Sequence, residues 1–207
     1  NEFGADTLRT YEMFIGAFDL SAAWSKEGVK GCRRFLERVW KLQDMIVDGA
    51  GYRSEIETKI HQTIKKVSND FENLKFNTAI AAMMALVNEF YKANSITKDE
   101  YATLILLLNP VAPHMTEELW ETYFGNGRVY QQKWPEFDEE KTIESTVEIA
   151  VQINGKVKAT LMVGLEEDEA SIKEKAHAVP TIAGLMECKN VLKEIYVKGR
   201  ILNIVVK

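Results

Sequence analysis

The spacing of apolar residues changes near residue 143, and that change bounds what the chain can fold into. Before it, apolar positions recur every three to four residues, as on one face of a helix. After it they alternate, as on one face of a half-buried strand. A chain written in two periods is expected to fold as two modules. The expected fold class is multidomain: an all-α helical bundle over residues 1–142, followed by a small α+β domain over residues 143–207 with two β-hairpins and one or two helices. A length of 207 residues fits one or two domains at roughly 100–200 residues each.

The first part divides into amphipathic segments. A short helix is expected over Ala5–Ile15 and a longer one over Val29–Val47, whose stripe is Val29, Cys32, Leu36, Val39, Trp40, Ile46 and Val47. Ser54–Ser68 and Phe76–Tyr91 follow. Thr97–Leu108 opens on a capping box, Thr97 with Glu100, and ends before Pro110. Pro113–Phe124 is stopped by Gly125-Asn126-Gly127. Short connections between such pieces suit a bundle. Trp24, Trp40, Trp120, Trp134, Met83 and Met84 are read as its core.

In the second part Val147, Ile149, Val151 and Ile153 alternate with polar or small residues, as do Val157, Ala159, Leu161 and Val163, with the turn dipeptide Asn154-Gly155 between them. Joined by a plain two-residue turn, these strands would mix apolar and polar residues on each face. Pairing Ile153 with Val157 and Val151 with Ala159 restores one apolar face, so a three-residue loop over Asn154–Lys156 or a bulge beside the turn is expected. A helix over Asp168–Ala178, a second short one from Pro180, and strands Val191–Val197 and Ile201–Val206 around Lys198-Gly199-Arg200 complete the module.

Composition removes several classes of function. The longest aliphatic run, Leu104–Leu108, is far too short to cross a bilayer, so no membrane is expected. Cys32 and Cys188 form no disulfide framework, and a reducing, cytoplasmic setting follows. Asn1 stands where an initiator Met would, without a signal sequence, so a piece of a longer protein is expected. His61, His114 and His177 are scattered, and no metal site is expected. No phosphate-binding glycine loop or nucleophile elbow occurs, so no catalytic residues are named. The carboxylate clusters Glu117-Glu118 and Glu166-Glu167-Asp168-Glu169 read as solvated or dipole-complementing groups.

Two sets of cations remain. Lys30, Arg34, Arg38 and Lys41 share one face of the second helix, opposite its apolar stripe, with Arg33 on the shoulder. Such a ridge can lie along a phosphate backbone, displacing condensed counterions, although a solvated face explains the same spacing. Lys156 and Lys158 flank the first turn of the small module, and Lys198 and Arg200 the second. Residues 143–207 carry nine basic and nine acidic residues, so the net charge of −5 belongs to residues 1–142 and any basic footprint is local. Tyr130 and Tyr196 have the chemistry to stack on bases but read as structural.

Several segments resemble a known family. Gly4-Ala5-Asp6-Thr7-Leu8-Arg9-Thr10-Tyr11 resembles the stretch after the Lys-Met-Ser-Lys-Ser signature of class I aminoacyl-tRNA synthetases. Asn109-Pro110-Val111-Ala112-Pro113-His114-Met115-Thr116-Glu117-Glu118-Leu119-Trp120 resembles a motif of the leucine, valine and isoleucine enzymes, and Trp134-Pro135 fits the end of that bundle. Gly31-Cys32-Arg33-Arg34-Phe35-Leu36-Glu37-Arg38-Val39-Trp40, Phe76-Asn77-Thr78-Ala79-Ile80-Ala81, Val151-Gln152-Ile153-Asn154-Gly155-Lys156-Val157-Lys158 and Ile201-Leu202-Asn203-Ile204-Val205-Val206 are similar to bacterial leucyl-tRNA synthetases. The resemblance implies an anticodon-binding-type bundle and a C-terminal domain that position tRNA(Leu). It also implies a parent enzyme that charges leucine with ATP and Mg2+ on a catalytic domain absent from this chain, which is the second expected partner. The chain alone is then inactive, needs no cofactor and is a monomer. The valine and isoleucine enzymes, and a stand-alone helical interaction module, are the alternatives.

Overall fold

The computed structural model describes residues 2–17, 19–125, 127–143, 146–165, 167–186 and 190–207. Asn126, Glu166 and Cys188, on which expectations were placed, lie outside the described residues. The chain divides into two units, Asn1–Thr142 and Ile143–Lys207. No described helix is long and apolar enough to cross a membrane.

The first unit contains α1 (Ala5–Phe14), α2 (Lys26–Lys41), α3 (Ser54–Glu72), α4 (Phe76–Ala93), α5 (Lys98–Leu108) and α6 (Pro113–Tyr123). Its core is made by the apolar stripes themselves: Ile60, Ile64 and Val67 of α3 pack with Ile80, Met83, Leu86 and Phe90 of α4 and with Leu104, Ile105 and Leu108 of α5. The capping box forms, with Thr97 Oγ1 accepting from the Glu100 N–H and the Glu100 carboxylate accepting from the Thr97 N–H. Glu100 is fully buried and also accepts from the Arg53 guanidinium at 2.8 Å, which ties the segment before α3 to the start of α5. α1 lies close on α2 at Gly28, where an added Cβ would sit 2.7 Å from the Tyr11 ring.

Two expectations for this unit need correction. The second helix ends at Lys41, passes into a 3-10 turn over Leu42–Met45, and leaves Ile46 in a parallel bridge with Ile96. Ile46 and Val47 continue the apolar spacing but serve a β-type pairing, with Val47 N–H donating to Ile96 O. Of the aromatic and Met residues read as core, Trp120 and Met83 are buried, whereas Trp24, Trp40 and Trp134 are exposed. Trp24 packs edge-on against Tyr11, and Trp134 donates its indole N–H to Ser68 Oγ.

The α3–α4 turn places Leu74 at φ 55, in the left-handed region that penalises a side chain, while the side chain itself is exposed. Leu74→Gly is expected to stabilise the bundle by about 0.5–1 kcal/mol, since release of the strain exceeds the added freedom of the unfolded glycine. A higher urea midpoint at unchanged slope checks this.

The second unit contains β1 (Thr146–Ile153), β2 (Lys156–Gly164), α7 (Glu169–Ala178), α8 (Pro180–Met186), β3 (Val191–Val197) and β4 (Ile201–Val206). The described strands form one sheet in the order β2-β1-β4-β3, with β1 and β4 parallel and both hairpins antiparallel. Ile149, Val151, Val163, Leu202 and Ile204 face Ile172, Ala176 and Ile182 of the two helices. The β1–β2 connection is the two-residue turn, with Asn154 at φ 49 and Gly155 at φ 79, and the register shifts between Val151 and Gln152. The bulge and the Val151–Ala159 pair occur as expected. The Ile153–Val157 pair does not: Ile153 faces Lys156, Val157 faces Gln152, and Val157 is left exposed.

Asp168 caps α7 by accepting from the Ser171 N–H. Glu167 accepts from Lys175 and the Ser171 hydroxyl, each at 2.6 Å, and from the Gly164 N–H at 3.0 Å, joining β2 to α7. Lys175 first, then Ser171 and Gly164, hold the Glu167 carboxyl down at about 2, from an ordinary 4.5. A depressed carboxylate stabilises the fold fully above its unfolded value, and this contribution is lost as pH falls from about 4.5 to about 2. Glu167→Gln is therefore expected to lower stability near neutral pH and to match the parent chain at about pH 2, as denaturant titrations across pH would reveal.

Candidate nucleic-acid interface

α2 is held at both ends by local chemistry. Ser25 caps it by accepting from the Gly28 N–H, Glu27 lies in its first turn, and Arg38 and Lys41 complement the dipole in its last. Its buried face is Val29, Cys32, Phe35, Leu36 and Val39, which turns Lys30, Arg34 and Lys41 outward. Cys32 is a free, buried thiol whose pKa burial pushes up, and it packs within the apolar face of the helix.

The four ridge cations are not equivalent. Lys30 pairs with Glu27 at 2.7 Å, and that hydrogen bond lowers the Glu27 pKa. Arg38 is half-buried: its guanidinium donates to Asn88 Oδ1 at 2.8 Å and lies 4.5 Å from the centre of the Tyr91 ring, while Tyr91 donates its hydroxyl to Arg38 O. Arg38 thus fastens α2 to α4, which helical spacing alone does not reveal. Arg33 is paired with Glu37 at 2.8 Å. Arg34 and Lys41 are exposed and have no ion pair among the described residues, so they carry the ridge's available charge.

In the second unit the topology separates the turn cations. Because β1 and β4 run parallel, the Asn154-Gly155 turn and the Lys198–Arg200 turn lie at opposite ends of the sheet, on the order of 15 Å apart along the strands. Lys156 and Lys158 therefore do not form one patch with Lys198 and Arg200. The first turn is stitched to the end of β4: Asn154 Nδ2 donates to Val206 O at 3.1 Å, Asn154 Oδ1 accepts from the Val206 N–H at 2.9 Å, and Asn203 Oδ1 accepts from the Gly155 N–H at 3.0 Å. Lys207 is brought to the same end as Lys156, its backbone exchanging two hydrogen bonds with Asn190. The local basicity of the last residues signals Lys207, but only the parallel pairing of β4 with β1 gives it that neighbour.

Of the two tyrosines read as structural, Tyr196 fits that reading and Tyr130 does not. Tyr196 packs on the core of its unit and accepts from the Gly199 N–H, shaping the second turn, while Tyr130 is exposed. Glu117, expected to be merely solvated, accepts from the N–H groups of Val129 and Tyr130 at 3.2 and 3.4 Å. His114 Nδ1 lies 2.7 Å from Asp6 Oδ1. Among the described residues no group of three or more His, Cys, Asp or Glu is arranged to hold a metal ion.

Residues 54–174 match the family described as the anticodon-binding domain of tRNA ligase, and the chain belongs to that family. The matched stretch starts with α3 and runs through the first hairpin into α7. A leucine–tRNA ligase of Alkaliphilus oremlandii is 55% identical over 206 residues, covering 100% of this chain and 26% of that protein. A LeuRS of Agrobacterium radiobacter, solved as a ternary complex with tRNA and LeuAMS, is 29% identical with a TM-score of 0.63, covering 100% of this chain and 29% of the other. The chain thus spans little more than a quarter of the length of these relatives.

Proposed function

We propose that this chain is the tRNA-placing portion of a leucyl-tRNA synthetase and that its partner is tRNA(Leu). The observation that carries this reading is the 55% identity to a leucine–tRNA ligase along the whole chain, which favours leucine over valine and isoleucine. On this reading Arg34 and Lys41, with Lys30 once it leaves Glu27, follow phosphates along the bundle. Lys156, Lys158 and Lys207 hold RNA at one end of the small sheet, and Lys198 and Arg200 at the other. Such contacts fix the register and orientation of the RNA without reading its bases, and the preference for tRNA(Leu) comes from the shape of the RNA they follow. Leucine activation with ATP and Mg2+ belongs to the rest of the parent protein, which works as a cytoplasmic monomer. The chain supplies placement and no covalent chemistry.

Removing residues 143–207 from the full-length parent tests this division. Leucine-dependent ATP–pyrophosphate exchange is expected to persist while KM for tRNA(Leu) rises about tenfold or more, as loss of several phosphate contacts implies. An unchanged KM would contradict the placement role.

A further inference from the structure

The first turn of the small unit is bound more closely than a hairpin turn requires. A two-residue Asn-Gly turn needs only positive φ at its central residues, which glycine would supply at position 154 as readily as asparagine does. Asn154 goes further. Its N–H donates to Ile204 O at 3.0 Å. At φ 49 its backbone then leaves the strand, and its side-chain amide pairs with Val206 in place of a peptide group, donating to Val206 O at 3.1 Å and accepting from the Val206 N–H at 2.9 Å. Asn203 Oδ1 accepts from the Gly155 N–H at 3.0 Å. Three side-chain bonds thus join the turn to β4, a strand outside its own hairpin.

What these bonds hold in place is charge. Lys156 opens β2 directly after the turn, Lys158 is the extra residue of the bulge between the Gln152–Val157 and Val151–Ala159 pairs, and Lys207 follows Val206. The Lys207 backbone is held in turn by Asn190, through bonds of 3.0 and 3.1 Å. All three lysines are exposed. The ion pairs described in this unit join other cations, Lys173, Lys175 and His177, to Glu167, Glu169 and Glu194. β2 is an edge strand, and the tip of an edge hairpin frays where few bonds hold it. Like charges carried on a fraying tip would drift apart.

We propose that Asn154 and Asn203 are positioning residues for tRNA: they fasten the turn to the end of β4 so that Lys156, Lys158 and Lys207 meet phosphates as one preset group. The inference rests on the reading that these lysines hold RNA. Preset charges bind more tightly because less freedom is lost when the partner arrives. The asparagines themselves need touch no RNA.

The test compares KM for tRNA(Leu) and kcat for leucylation in the full-length protein that contains this chain. Asn154→Gly keeps the turn's φ and removes two of the three side-chain bonds. It is expected to raise KM about threefold with kcat retained. Asn203→Val removes the third bond, keeps a good strand former and should shift KM in the same direction. In a protein already carrying Lys156→Gln, Lys158→Gln and Lys207→Gln, Asn154→Gly should move KM by less than about 1.5-fold, because the cations it arranges are gone. A rise by the same factor in both backgrounds would mean that the asparagine only supports the fold, and it overturns the proposal. So does a KM equal to the parent's for both Asn154→Gly and Asn203→Val. A triple lysine variant with the parent's KM overturns instead the reading beneath, that these lysines hold RNA.

Discussion

Replacing Arg53 by methionine is expected to destabilise the helical unit by about 3–5 kcal/mol, because it leaves a buried carboxylate without its counter-charge. Glu100 has no exposure, and Arg53 reaches it with both the backbone N–H and the guanidinium, at 2.8–3.1 Å. The same guanidinium donates to Ser95 Oγ and, at 2.9 Å, to Ser95 O. Methionine keeps the length of the side chain and loses every one of these side-chain bonds. Glu100→Gln should cost less, since the amide oxygen still accepts and Arg53, partly open to solvent, can be hydrated. A domain is typically stable by about 5–15 kcal/mol, so Arg53→Met consumes a large share of that margin. Urea unfolding of the three proteins measures the order. An Arg53→Met midpoint equal to that of the parent chain would show that the pair adds nothing.

Charge reversal at Arg34 and Lys41 together is expected to weaken tRNA binding by on the order of tenfold at moderate salt and to reduce the slope of log K against log salt by about 2. Both side chains are exposed and neither is engaged in an ion pair among the described residues, so folding should survive the change. Arg38 is a poor site for this experiment. Its contacts with Asn88 and Tyr91 mean that a substitution also loosens α2 from α4, and lost affinity could then reflect lost packing. Fluorescence anisotropy of labelled tRNA across a salt series gives both quantities. An unchanged slope removes the ridge from the interface.

Features set by neighbours in sequence were legible before the structure. The capping box at Thr97 and Glu100 and the turn at Asn154-Gly155 each depend on a few adjacent residues, and each forms. Features set by distant partners were not. Ile46 continues the apolar period of α2, but its bridge is with Ile96, fifty positions on, so periodicity overran the helix end. Arg38 has the spacing of a ridge residue, and its role is decided by Asn88 and Tyr91. Trp40 is apolar by type, yet it comes to rest on the rim of a groove. The parallel pairing of β1 with β4 is what sends the two basic turns to opposite ends of the sheet, and no local residue pattern encodes that pairing.

The placement of tRNA(Leu) by this chain is tested by one titration: labelled tRNA(Leu) into the isolated chain at low salt, competed with a tRNA for another amino acid. Saturable binding that favours tRNA(Leu), with log K falling linearly as log salt rises, is the predicted result. No saturable binding at low salt, or equal competition by any tRNA, would contradict it.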